Sequence, residues 1–180
     1  MTGDCIKAAF PGFEENIVSG FVEMLVFDAL IGHNDRHPYN WGIVVPLRKS
    51  GAPRFSPIFD TARALFWNVP ERRIVQMLND ENQFEAYVRR CAPPVGWDDE
   101  PAVDFFRLIG LICNSFGQYR RNIEKLLADK ALRLSFEMID REFALLISAD
   151  RRELIKRCLH LRQQYLCDAV RKFKGKGETR

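Results

Sequence analysis

The octapeptide His33–Asn40, HNDRHPYN, lies between an apolar stretch and a run of β-branched residues. A polar segment in that position is costly unless its groups are hydrogen-bonded or put to use. Asp35, Asn40 and, twenty positions beyond Asn40, Asp60 are oxygen donors suited to a hard cation such as Mg²⁺. The octapeptide runs straight into what reads as a β-hairpin, and a hairpin can bring the residues before and after it to one end. Asn40 and Asp60 would then hold the cation, leaving Asp35 to accept a proton or orient a hydroxyl. Two oxygen ligands and one separate carboxylate are the minimum set for metal-assisted phosphoryl transfer. A second reading groups His33, Asp35 and His37, because alternate residues of an extended segment face one side. A histidine-metal hydrolase would use such a triad, although the other histidine, His160, lies in a distant helical stretch.

The elements that must position these groups follow from periodicity. Glu14–Ile31 reads as a helix, with Ile17, Phe21, Met24 and Leu25 at 3–4 spacing and Glu14 and Glu15 at the end that favours acidic residues. Apolar residues wrap much of its circumference, which predicts a central helix. Gly32 ends it. Trp41–Val45 and Arg54–Phe59 read as the two strands of a hairpin, and Pro57 limits the second to an edge or a very short pairing. Beyond Pro70 the pattern is helical, over Glu71–Leu78, Gln83–Arg90, Pro101–Phe116, Tyr119–Asp129, Ser135–Ile147 and Asp150–Phe173. The segment 92–101, APPVGWDDEP, is an internal loop rather than a domain boundary. One mainly α domain with an inserted two-stranded hairpin accounts for the whole pattern.

Composition narrows the class. With 180 residues, 47% hydrophobic and 14 Phe among them, the chain suits one domain with a real core and is not disordered as a whole. No apolar run reaches the roughly 18 residues of a membrane span, and Met1–Lys7 has no secretory character, so a cytoplasmic address is expected. Five cysteines (Cys5, Cys91, Cys113, Cys158, Cys167) without a CxxC pair read as reduced, mostly buried thiols. The net charge of +3 is a property of the C-terminus: residues 171–180 carry a local +4, and residues 1–170 carry −1. A solvated basic tail over 174–180 is expected after a domain at 1–173, and nucleic-acid contact is expected, if anywhere, only through that tail. The 150–173 helix is expected to place Leu154, Cys158, Leu161 and Tyr165 on its packed face and its arginines on a solvated one.

HNDRHPYN resembles the catalytic loop of protein kinases, whose common form reads HRDLKPEN. His33, Asp35, Pro38 and Asn40 match it, including the five-residue interval from Asp to Asn. Asp60 in PIFDTA falls where the metal-binding aspartate of kinases follows its hairpin, here without the usual glycine. More specifically, LIGHNDRHPYN (30–40) and SPIFD (56–60) are similar to the LIGxxDxHxxN and PxYD segments of the HipA-like serine/threonine kinases of bacteria. The DRHxxN form is also similar to phosphoinositide kinases.

The resemblance implies a fold, roles and partners. The fold would be a protein-kinase-like C-lobe, helical, with an inserted hairpin. Asp35 would be the catalytic aspartate, and Asn40 and Asp60 the ligands of Mg²⁺ and through it of ATP. His33 would brace the loop. His37 would stand where many kinases place a phosphate-contacting lysine, and Arg36 would face phosphate or solvent. The phosphoacceptor would be a protein Ser or Thr hydroxyl, and the setting a toxin-antitoxin pair. An N-lobe is expected to be absent: no GxGxxG or GxxxxGK[ST] occurs, and 34 residues precede Asp35 where strands and a helix of ordinary size need roughly 50. Lys7 in DCIKAAF superficially resembles the strand lysine of VAIK, but no acidic helix follows at a distance that would pair with it. A separate N-lobe or an antitoxin-like protein is therefore the expected partner, and a non-catalytic remnant that docks a partner is the alternative to an active enzyme.

Overall fold

The computed structural model describes residues 2–47, 51–98 and 100–172. Its elements run α1 (Thr2–Ala9), α2 (Glu14–Ile31), β1 (Ile43–Val44), β2 (Arg54–Phe55), α3 (Glu71–Asn79), α4 (Glu81–Arg89), α5 (Phe105–Ser115), α6 (Arg120–Leu126), α7 (Asp129–Glu142) and α8 (Ala149–Lys172). Short 3₁₀ turns occupy Pro38–Asn40 and Gly117–Tyr119.

Helix α2 has the predicted bounds. It buries residues around much of its circumference, from Ile17 through Met24, Leu25 and Val26 to Ile31, and packs against α1, α5, α6, α8 and β2. It ends at Gly32, whose φ of 69° is left-handed, and Gly32 N–H caps it by donating to the Asp28 carbonyl. Gly20, inside the same helix, is explained by close approach: a Cβ there would overlap the Phe55 side chain. Phe55 stacks on Trp41 with ring centroids 6.0 Å apart, and Phe21 meets Trp41 edge-on at 5.0 Å. This aromatic trio fastens the hairpin to α2.

The strands are shorter than the periodicity predicts. Only Ile43↔Phe55 and Val44↔Arg54 pair, antiparallel. Pro46 and Pro57 have no N–H to extend the ladder. Side-chain capping moves other boundaries: Asp80 accepts from Gln83 N at 3.0 Å and starts α4 early, and Asp104 accepts from Arg107 N at 2.9 Å and starts α5 late. The helix predicted over 135–147 is α7, displaced toward the N-terminus, and residues 143–147 form a turn rather than its end. Lys7 lies on helix α1, so its likeness to a strand lysine is overturned.

Two hydrophobic clusters share α8. One gathers α2, α5 and α6 around Leu166 and Val170; the other gathers α3, α4 and α7 around Leu154, Cys158 and Leu159. The arginines of α8 do not form the solvated face predicted for them. Arg151 donates to the carbonyls of Phe66 (2.9 Å) and Val69 (2.6 Å) and to Glu71 (2.6 Å), while Arg157 donates to Leu78 O and Glu81. Arg151 thus ties α8 to α3 and the segment before it, and Arg157 ties α8 to α3 and the start of α4. Cys91, Cys113 and Cys158 are buried thiols, as composition suggests. Among the described residues no helix is long and apolar enough to cross a membrane. The tail at 174–180 lies outside the described residues.

Candidate functional site

The octapeptide leaves α2 at Gly32 and is held from below by a buried ion pair. Asp28, in the last turns of α2, is fully buried, and the Arg36 guanidinium meets it in a two-pronged contact, both N–H···O distances 2.8 Å. Arg36 NH1 also donates to Asn40 O at 2.6 Å and to Phe59 O at 2.7 Å. One guanidinium thus joins the core helix, the end of the octapeptide and the residue before Asp60. Arg36 is 3% exposed, which corrects the expectation that it faces phosphate or solvent.

His33 is buried beside the same pair, its Nδ1 3.9 Å from Asp28 Oδ1 and without a hydrogen-bond partner. Burial lowers its pKa against the opposing pull of Asp28, and Arg36 lowers it further, so the ring is neutral. The negative charges of Asp35 and Asp60 oppose that shift more weakly. Gly32 is covered by another buried cation: a Cβ there would collide with the Arg162 guanidinium, whose Nε donates to Val88 O at 3.4 Å.

Of the groups singled out for chemistry, Asp35, His37 and Asp60 reach solvent to different degrees and Asn40 is inside the frame. Asp35 is half-buried, with Oδ2 3.4 Å from Arg63 Nε. Arg63 also lies over the Trp67 ring, 5.7 Å from its centroid. Asn40 is buried and its Nδ2 donates to Asp35 O at 2.9 Å, so a ligand role would fall to Oδ1. His37 is exposed and its Nδ1 accepts from Tyr39 N at 3.3 Å, capping the Pro38–Asn40 turn. Asp60 is exposed, with a left-handed φ of 52°.

The stretch after Asp60 is pinned again at Leu65 and Phe66, both left-handed at φ 46° and 64°. Non-glycine residues keep such angles only where their surroundings enforce them. Here Leu65 N donates to Ile31 O (3.1 Å), Phe66 N donates to Tyr87 Oη (2.8 Å), and the Phe66 ring stacks on Tyr87. Residues 60–64 are thereby slung between Arg36 and the end of α2.

His33, Asp35 and His37 do not form a metal triad. Among the described residues no group of three or more His, Cys, Asp or Glu is placed to hold a metal ion: His33 points into the core and His37 outward. Sequence reasoning passed over Asp28 and Arg63. Asp28 carried a signal, as an acidic residue inside an otherwise apolar helix turn; Arg63 carried none.

No protein-family profile matches the chain, and no curated protein matches it. Among solved structures, a Helicobacter pylori proinflammatory kinase, CtkA, has the same fold, with a TM-score of 0.71 and 19% identity over 88% of this chain and 54% of that one. The chain therefore spans about half the length of the kinase it matches. Its fold is that of a kinase-like C-lobe, mainly helical with one small hairpin, as the HipA-like resemblance implies.

Proposed function

We propose that this chain is the C-terminal lobe of a HipA-like serine/threonine kinase, transferring phosphate from Mg²⁺-ATP to a protein hydroxyl once a nucleotide-covering lobe is in place. The observation that carries the reading is the Arg36 junction. By binding Asn40 O and Phe59 O together, it joins one candidate ligand residue, Asn40, to the residue before the other, Asp60, which supports a shared role for the two. Such preorganised positioning is the main protein contribution to phosphoryl transfer.

The donor set fits a magnesium site. One carboxylate and one amide oxygen are few for an all-protein cage, but Mg²⁺ characteristically takes one or two protein oxygens and completes its shell with phosphates and water. When bound, the ion would neutralise charge building on the transferred group. The rest falls to this chain's own side chains. Asp35 accepts the hydroxyl proton or orients the hydroxyl. Before substrate arrives its carboxylate is engaged by Arg63, so the incoming hydroxyl displaces a cation at the surface. His37 keeps Nε2 for a phosphate oxygen, its Nδ1 being committed to Tyr39 N.

A docking role for the same face is favoured by its apolar surface. Tyr39, Val45, Leu47, Ile58 and Phe59, on the loop, the hairpin and its ends, are all exposed. A nucleotide-covering lobe on a separate chain or segment is the occupant that the half-length match supports. Calorimetry of the full chain with ATP, with and without Mg²⁺, tests the reading. Nucleotide binding should require Mg²⁺ and weaken in Asp60→Asn and Asn40→Ala, and any Mg²⁺-dependent turnover should fall about 10²–10⁴-fold in Asp35→Ala. Binding indifferent to Mg²⁺ and to Asp60→Asn would sink it.

A further inference from the structure

A cavity of about 400 Å³ opens on the side of the fold where α2, α6, α7 and α8 converge. Phe27, Leu30, Leu126, Met138, Phe143 and Leu159 form much of its wall, and no charged side chain lines it. Its two polar members are already satisfied from within. Ser135 Oγ donates to Ala131 O at 3.0 Å, and Gln163 Nε2 donates to Leu127 O at 2.8 Å and to Asp129 Oδ1 at 3.1 Å. The size is that of a small-molecule pocket, and an apolar hole of this kind holds apolar ligands rather than water.

We propose that this cavity binds a single unbranched alkyl chain of a soluble amphiphile, with the head group left in solvent. The lining decides the ligand class. With no charge and no free donor, it offers nothing to a nucleotide, sugar or peptide backbone, while Phe27, Met138 and Phe143 stay partly exposed at the mouth. Walls contributed by four helices make a hole that a chain enters, rather than a flat face that a protein covers. The chain's own undescribed residues are poor occupants, since 48–50 read RKS and 173–180 read FKGKGETR. No nucleophile faces the cavity unpaired, so its role is binding rather than chemistry.

The position gives such a ligand something to act on. Ile31 and Leu65 both line the cavity and are joined by the Leu65 N to Ile31 O bond. Ile31 stands two residues before His33, and Leu65 two residues after Arg63. An alkyl chain in the cavity would therefore touch a residue just before the octapeptide and one just after Arg63. The proposal does not rest on phosphoryl transfer, because its test reads binding alone.

The test is calorimetry and thermal shift of the full chain with the n-alkanols from hexanol to dodecanol, and sedimentation with phosphatidylcholine vesicles. Saturable binding is expected, Kd falling about fourfold per added methylene until the cavity is full and then levelling. Ala131→Trp, whose indole would take the place of at least two ligand methylenes, should weaken the tightest binder about tenfold or more. Ala128→Phe serves as a second filling variant should the first not fold. Three results would overturn the proposal: no saturable binding, equal affinity in the wild type and in a folded filling variant, or association with vesicles alone.

Discussion

Replacing Arg36 with alanine isolates the contact on which the site is built. The side chain makes four hydrogen bonds, two to a fully buried carboxylate. Removing one partner of a buried pair leaves the other charge uncompensated, at about 3–5 kcal/mol. The Asn40 carbonyl loses its donor too, at about 1–3 kcal/mol if it stays dry; Phe59 is exposed, so water recovers part of its loss. Contributions that share one side chain overlap, and a total of about 4–7 kcal/mol is expected. Against a typical stability of about 5–15 kcal/mol, that is a near-unfolding lesion. At about 2–4 °C per kcal/mol for a chain of this size, the melting temperature should fall by roughly 10–25 °C. The assay is urea denaturation followed by circular dichroism, run on Arg36→Ala, Arg36→Met and the double variant Asp28→Leu/Arg36→Met. The double variant buries no charge and should recover about half of the loss of Arg36→Met. A single-variant loss below about 1.5 kcal/mol, or no recovery in the double, would refute the ion pair as the anchor of the loop.

Three further outcomes follow from neighbouring contacts. The folded pKa of His33 lies below its ordinary 6.5 because burial opposes the charged form; its stabilising contribution is complete above 6.5 and is lost as pH falls from there through the folded value, since the unfolded chain takes up the proton first. Denaturation midpoints measured from pH 8 to pH 5 should show that decline, and His33→Asn should flatten it. Gly32→Ala places a Cβ at a left-handed φ, for about 1–2 kcal/mol, and also against the Arg162 guanidinium. The loss should therefore be larger in the wild type than in an Arg162→Ala background, and equal losses would remove Arg162 from the account. Arg63→Ala breaks a half-exposed pair with Asp35 and should cost less than about 1 kcal/mol in the same denaturation assay; a loss above about 2 kcal/mol would make that pair structural rather than a placeholder for substrate.

How far the sequence predicts this molecule depends on which interactions set each feature. Helix α2 was legible to its last residue because glycine ends it and acidic residues begin it, both local signals. The hairpin was legible as an element, but its length was not, because the proline positions that end the pairing act through missing N–H groups on a partner strand. Helix α7 was misplaced because its buried face is defined by α8, many residues away. In the site, the residues with evident chemistry could be picked from the octapeptide by type and spacing. The supports could not: Arg36 is a cation in a polar loop and reads as a solvent or ligand group until the buried Asp28 is known to lie beneath it.

That division has a physical basis. Along residues 33–40, burial alternates with exposure: His33, Arg36 and Asn40 are inside, while Asn34 and His37–Tyr39 are outside and Asp35 lies between. A loop cannot hold an exposed carboxylate still by its own backbone, since loop residues lack the ladder bonds that fix helices and strands. It borrows rigidity instead by sinking every third or fourth side chain into the core. Apolar residues could do the sinking with less desolvation cost, and a buried ion pair is weak support for stability as such. What an apolar side chain cannot do is select two particular carbonyls, Asn40 O and Phe59 O, and hold them to one point. A guanidinium with its fork on Asp28 still has donors for both. The charge buried beneath the octapeptide is thus best understood as a device for register: it sets where Asn40 stands relative to Phe59, the residue before Asp60, and a cation shared by Asn40 and Asp60 would require such a setting.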